Sequence, residues 1–418
     1  MDYRKTSDII PLGSRAAAVS LGLAASNCYS GFVVSTNLGE VAQIPAGVWL
    51  SRTLLRRRIF SSALDIAFPD MVFSVNDHPS KNGSVDLAVK LDSGESLGER
   101  WDMLVCPRDK LGLRNLGDHL VCESGHRYAI IEGIPILLVS DVEQTHIEGT
   151  RALEVAESGD LSTVPKFKVA ADEIDPFVRN SIGATNGGLY QHLVGTLSEY
   201  PIPHLRLPPG EGRAFLEIGC SWGRWCIAAA RAGYRPVGID PSLKGILAAK
   251  RVARQLGIAA TYVVADGRFL PFRDESLDQV FSYSVLQHLS KENVAAVLAE
   301  IRRAMRKGGG ALIQMPNVFG VRCLYHEARR GFREAREFEV RYWKPAELLS
   351  VFNETIGPST LSVDGYFSLN PQASDLHLMP AKYRALVRMS EGLRRISGRV
   401  PLLNKVADSL YVSARKVD

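Results

Sequence analysis

No stretch of the 418-residue chain reaches eighteen consecutive apolar residues, so no membrane-spanning helix is expected. Cysteine is scarce: six residues are scattered from Cys28 to Cys323. They lack the clustered spacing of a disulfide framework, which points to a reducing, cytoplasmic setting. Internal repeats and low-complexity tracts are missing as well, which excludes solenoid architectures. Charge excess is small, with a formal net charge of +5 and a pI near 8.8. That is too little to mark a nucleic-acid binder by charge alone. What remains is ordinary globular composition, 46% hydrophobic and 23% charged, with enough length for two or three cores.

Three regions separate along the chain. Residues 1–100 carry apolar runs between turn-rich tracts and no recognisable motif. There, "RAAAVSLGLAAS" (15–26) reads as a surface helix, since Asp2 and Asp8 dilute the basic front of an export signal. The Arg56–Arg58 triplet reads as a solvated helix face. Residues 101–140 alternate short apolar runs with Gly and Asp turns, as in a small independent unit of β-hairpins. Residues 141–175 are polar and read as a linker or helical connector. From 176 to 418, strand and helix patterns alternate, which predicts a parallel sheet covered on both faces.

The stretch "FLEIGCSWGRW" (215–225) admits two chemistries. Gly219-Cys220-Ser221-Trp222-Gly223 fits the serine elbow of hydrolases. However, no oxyanion-type "HGGG" segment precedes it, and Asp278 and His288 are expected near one end of a single strand. The alternative is a glycine-rich cofactor loop between a first strand and a first helix. Glu217 stands two residues before Gly219, Asp240 ends the second strand, and Asp266-Gly267 end the third. An acid at the second position can accept both ribose hydroxyls, and one at the third can accept an adenine amino group. A nicotinamide-cofactor reading is weaker, because Ser221 occupies the second glycine of its fingerprint.

Together "LEIGCSWG", "VGIDPS", "VVADGRFLPFRDESLDQVFSYSVLQHL" and "EIRRAMRKGGGALIQMPN" resemble the successive motifs of class I S-adenosylmethionine-dependent methyltransferases, over roughly 180–318. The resemblance implies a Rossmann-like, mostly parallel sheet of seven strands, with 361–369 and 407–416 as the sixth and seventh. It implies that Glu217, Gly219, Cys220 and Gly223 surround the methionine part of S-adenosyl-L-methionine. Asp240 would then bind ribose, Asp266 and Gly267 would face adenine, and Ser284 to His288 would follow the fourth strand beside cofactor and substrate. Ser221 replaces the family's middle glycine, so a slightly different turn is expected there.

Methyl transfer needs alignment and, for O or N acceptors, removal of a proton. His288 is the candidate base, against a purely structural reading. Tyr283 or Gln287 would orient substrate. The segment 180–193 is expected as a lid, with Tyr190 touching the methionine moiety. Trp222 and Trp225, three apart, are expected on one helix face and in the core. Arg329, Arg330, Arg333, Arg336 and Arg341 are either a solvated helix or a site for an acidic acceptor.

Cys106, Asp109, Cys122 and His126 form C-x2-D and C-x3-H knuckles, a donor set for structural zinc. The segment "LVCPRDKLGL…LVCESGHRYAIIEGIPILL" resembles the zinc-ribbon domain of methyltransferase activator subunits and of some 23S rRNA guanine methyltransferases. Asp109 stands where that family has cysteine, so a ribbon that has lost its metal stays open as the alternative. The function expected is methyl transfer to an O or N of a small or carrier-linked acceptor. RNA methylation and a non-catalytic cofactor-binding scaffold are the rivals.

Overall fold

The computed structural model describes residues 102–417. The expectations for 1–100, the 15–26 helix and the Arg56–Arg58 triplet among them, lie outside the described residues. The first apolar runs form an antiparallel meander of β1 (Leu113–Asn115), β2 (His119–Cys122), β3 (Arg127–Ile131) and β4 (Ile134–Leu137). Glu132 and Gly133, both at positive φ, close the tight turn between β3 and β4. Helix α1 (Ile147–Ser158) lies in the stretch expected as a linker or helical connector, and its Ala152 and Val155 pack against Ile134 and Ile136. Helix α2 (Pro176–Asn186) starts at Asp175, whose carboxylate caps two backbone N–H groups.

From there β5 (Ala214–Ile218), α3 (Arg224–Arg231), β6 (Arg235–Asp240), α4 (Leu243–Gln255), β7 (Thr261–Ala265) and β8 (Leu277–Ser282) alternate as the sequence pattern requires. Ser242 caps α4, accepting Gly245 N–H at 3.2 Å. Then come α5 (Lys291–Ala304), β9 (Met305–Pro316), α6 (Val321–Arg329), α7 (Pro345–Thr355) and β10 (Ser359–Gly365). Helices α8 (Ala381–Ser397) and α9 (Pro401–Val406) precede β11 (Ser409–Arg415).

The sheet has eleven strands rather than seven, in the order β1-β2-β3-β4-β7-β6-β5-β8-β9-β11-β10. Strands β4 through β9 run parallel to one another, while β11 is antiparallel to both β9 and β10. The meander of 101–140 was expected to stand alone. Instead β4 pairs with β7, Ile136 opposite Val264 and Leu137 opposite Ala265. All four residues of β4 are buried, the signature of a strand covered on both faces. Leu104, Leu120 and Tyr128 share one core with Leu216 and Val263 of the main sheet and with Phe272 of the loop before β8. Each fully buried aliphatic there contributes about 1.5–3 kcal/mol. Among the described residues no helix is long and apolar enough to cross a membrane.

Candidate active site

Glu217, Asp240 and Asp266 end or follow β5, β6 and β7, neighbouring parallel strands, so they gather at one edge of the sheet. The turn after β5 is tight. Gly219 takes φ 78°, and a Cβ there would meet Val285 Cγ2 at 2.2 Å, so only glycine fits. Ser221 also sits at positive φ, 47°. The different turn expected at Ser221 is not formed. The serine adopts the glycine-like conformation, at a cost of about 1 kcal/mol, while Asp240 Oδ2 accepts its N–H at 2.9 Å. Asp240 Oδ1 accepts Ser242 N–H at 2.9 Å, so one carboxylate ties the loop to the start of α4. Burial pushes that carboxyl up to about 6 against these two donors.

Among the described residues no serine hydrolase triad forms around Ser221. Asp278 accepts Ala214 N–H at 2.8 Å at the start of β8, whereas His288 lies beyond its other end. The two stand at opposite ends of the strand, not near one end as expected.

Glu217 is buried and accepts Cys226 N–H at 2.7 Å. Burial pushes its carboxyl up to about 8, with Cys226 and Arg224 opposing and Asp240 reinforcing. Cys220 is buried, and its thiol packs over Gly238 beside that of Cys226. Asp266 was expected to face adenine. Its Oδ2 instead accepts from Arg268 Nη2 at 2.7 Å and Nε at 3.1 Å, and its Oδ1 accepts the Arg268 backbone N–H at 2.8 Å and Nε at 3.2 Å. Gly267 opens the short turn that follows.

A cleft at the ends of β5 and β8 is lined by Asn186, Glu217, Cys220, Arg224, Tyr283 and Ser284, among others. Residues Thr185 and Asn186 of the expected lid reach it, and Asn186 Oδ1 accepts Trp222 Nε1–H at 3.0 Å. Tyr190 does not line it. Its ring is fully buried, and its hydroxyl donates to Asp375. The two tryptophans do not share a helix face, because α3 begins only at Arg224. Trp222 packs with Tyr190 and Ile182, and Trp225 with Phe281 and Tyr283.

Arg224 was overlooked in the sequence. It is 6% exposed, lines the cleft, and leaves Nη1 without a hydrogen bond. Its guanidinium lies 5.4 Å over the Trp225 ring and 5.9 Å from the Tyr190 centroid. A buried cation demands compensation, and a signal existed: one arginine opening the apolar helix "RWCIAAA".

Tyr283 is fixed by a buried network. Its hydroxyl donates to Asp364 Oδ2 at 3.0 Å and accepts from Gln372 Nε2 at 3.1 Å. Asp364 also accepts from Ser409 at 2.8 Å and from Arg206 at 3.0 Å. Gln314 donates to Ser409 at 2.7 Å and accepts Ser284 N–H at 2.8 Å. That bond holds Ser284 at φ 60° on the cleft wall.

His288 does not reach the cleft. Nδ1 bonds Phe338 O at 2.7 Å, Nε2 lies 3.2 Å from Gln287 Nε2, and the ring stacks on Phe338 at 4.0 Å. Burial pushes the imidazole down to about 4. Both ring nitrogens are thus engaged within the fold. The arginines after β9 are mostly engaged too. Arg330 pairs with Glu327, Arg333 with Glu339, and Arg341 Nη1 donates to His288 O.

In the meander, one ligand atom each from Cys106, Asp109, Cys122 and His126 come within 4.8 Å of one another. Sγ of Cys106 and Cys122 lie 3.5 and 3.4 Å from His126 Nδ1, which is 3.1 Å from Asp109 Oδ2. A tetrahedral zinc with bonds of about 2.0–2.3 Å requires ligand separations of roughly 3.3–3.8 Å.

Fold and site together define an α/β protein with a cleft at the carboxyl ends of parallel strands, lined by Glu217 and Arg224 but not by Asp240 or Asp266, in the place where such sheets bind nucleotide-bearing ligands. Residues 215–309 match the model of a family described as a methyltransferase domain. The ubiquinone biosynthesis O-methyltransferase of Agrobacterium fabrum is 34% identical over 101 residues, 24% of this chain and 40% of that protein. An uncharacterized methyltransferase of Mycobacterium avium is 34% identical over 102 residues, 24% of this chain and 39% of its own. The chain thus spans about 40% of the length of the curated relatives it matches. Among solved structures, phosphoethanolamine N-methyltransferase 2 of Haemonchus contortus with S-adenosyl-L-methionine is 17% identical. It covers 61% of each chain at a TM-score of 0.38.

Proposed function

We propose that this chain is an S-adenosyl-L-methionine-dependent methyltransferase acting on an O or N atom of a small or carrier-linked acceptor. The observation that carries the reading is Arg224 and Glu217 in one cleft. A buried guanidinium with an unmade hydrogen bond and a buried carboxyl suit the carboxylate and ammonium of an amino-acid moiety. Asp240, one strand further, suits the ribose. The cofactor, when bound, supplies a methyl group activated by its sulfonium. The chain's own part is alignment and the exclusion of water. The acceptor would lie against Tyr283 and Ser284, both held by the Asp364–Ser409–Gln314 network, with the α2 end closing over it. Asp266 can serve adenine only if Arg268 yields one of its oxygens, so the backbone at Gly267 is the more available partner.

The second part of the reading is structural zinc at Cys106, Asp109, Cys122 and His126, supported by the two sulfur–imidazole separations of 3.5 and 3.4 Å, which suit a tetrahedron. Calorimetric titration with S-adenosyl-L-methionine tests the first part. Asp240→Ala is expected to weaken binding by about tenfold to a hundredfold, the loss of charge-assisted bonds worth about 1.5–3 kcal/mol. An unchanged affinity would mean the site lies elsewhere.

A further inference from the structure

Of the fourteen large apolar side chains exposed among the described residues, ten fall in two short segments, five over 319–332 and five over 389–406. In α6, Val321, Leu324 and Tyr325 follow i, i+3, i+4 spacing and share one face, opposite buried Cys323. Phe319 and Phe332 flank that helix. In α8, Met389 and Ile396 stand seven apart, and α9 carries Leu402 and Val406 four apart, so each helix turns one apolar stripe outward.

The two segments meet. Asn317 Nδ2 donates to Lys405 O at 2.9 Å and Ala407 O at 2.8 Å, and Asp408 Oδ1 accepts Arg322 N–H at 2.6 Å and Cys323 N–H at 3.1 Å. The start of α6 is thereby clamped to the end of α9. Both also lie at the cleft's end of the sheet. Helix α6 follows the carboxyl end of β9, parallel to β8, and α9 leads into β11 where Ser409 faces Pro316.

Charge accompanies the apolar stripes. Residues 381–406 contain seven Lys or Arg side chains against one acid, Glu391. Arg330, Arg333 and Arg394 pair with glutamates. Arg329, Arg336, Arg388, Arg395, Arg399 and Lys405 make no ion pair among the described residues. Exposed aliphatic and aromatic side chains rimmed by cations outside ion pairs suit a surface that is apolar below and negative above. A second copy of the same face would bring cation against cation, and a polynucleotide has no use for the aliphatic stripes.

We propose that α6, α8 and α9 form a docking face for an anionic lipid surface, seating the cleft's end of the sheet against the bilayer. The proposal does not depend on the methyl-transfer reading. Its test is flotation of the full chain with phosphatidylcholine vesicles prepared with and without phosphatidylglycerol. Binding is expected only with the anionic vesicles. The Leu324→Asp, Leu402→Asp double variant should weaken it by about tenfold or more, and so should Arg395→Glu with Arg399→Glu. If the first pair fails to fold by circular dichroism, Phe319→Asp with Val406→Asp replaces it. No flotation, equal binding to neutral vesicles, undiminished binding by the folded variants, or a dimer that the variants dissolve would each overturn it. Cofactor titration of the same samples reports separately on the cleft.

Discussion

Arg224 concentrates the question of function in a single side chain. Its charge is buried, no carboxylate among the described residues stands at ion-pair distance, and Nη1 points at no acceptor. Replacement by methionine keeps the length of the stem and removes the charge. If the guanidinium exists to hold the cofactor's carboxylate, Arg224→Met should weaken S-adenosyl-L-methionine binding by about tenfold or more. Stability of the free protein should change less than the affinity, since the Tyr190–Asp375 hydrogen bond beside the guanidinium remains. An arginine kept for packing alone would give the opposite pattern, stability falling and affinity unchanged. His288 makes the complementary case. With its imidazole pushed down to about 4 by burial, the folded state binds fewer protons than the unfolded state between that value and about 6.5. Stability is therefore unaffected above that window and is lost as pH falls through it, by at most about 3 kcal/mol. In urea unfolding, His288→Gln should flatten this acid limb while leaving methyl transfer, if present, with its normal pH profile. Loss of activity at neutral pH with the fold intact would restore His288 as a catalytic residue. The three acids and the glycine turn were legible because each is fixed by its place at a strand end. The engagement of His288 was not, because Phe338 arrives from fifty residues away.

Among the elements, β4 is the most instructive. Its "IPIL" run was legible as strand, but placing it in a free-standing ribbon ignored what the run itself says. A hairpin strand of a small unit leaves one face to water and should alternate, whereas four consecutive buried positions require cover on both sides. The cover comes from α1 and α4 on one face and from the main core on the other, contacts that no local pattern encodes. The knuckles are different. Their spacing alone brought together four donors that the fold indeed places within 4.8 Å of one another. Purified protein should therefore carry about one equivalent of zinc, four ligands filling a closed tetrahedral site. Cys122→Ser should reduce that content several-fold, as measured by elemental analysis. Less than about a tenth of an equivalent in the unaltered chain would favour a ribbon that holds its shape by packing alone.

The eleven strands form one sheet across the whole of 113–415, and this sets how the protein should unfold. Two further ties bind the meander to the main body. Lys110 Nζ pairs with Glu300 at 2.7 Å, and Val105 N–H donates to Pro271 O at 3.0 Å. Units with a shared core tend to open together, whereas autonomous ones open separately. Stripping a bound metal should consequently lower protection beyond the knuckles, because losing β4 uncovers the edge of β7, next in line to the strand that ends in Asp240. Amide exchange followed by mass spectrometry, before and after chelation, reads this directly. The expected result is faster exchange in β7 and β6 as well as in β1 to β4, together with weaker S-adenosyl-L-methionine binding. Acceleration confined to β1–β4 would show an autonomous ribbon, the arrangement that composition alone suggested. If propagation is observed, the meander supports the cofactor crevice through the sheet itself, and the metal acts on the cleft without approaching it.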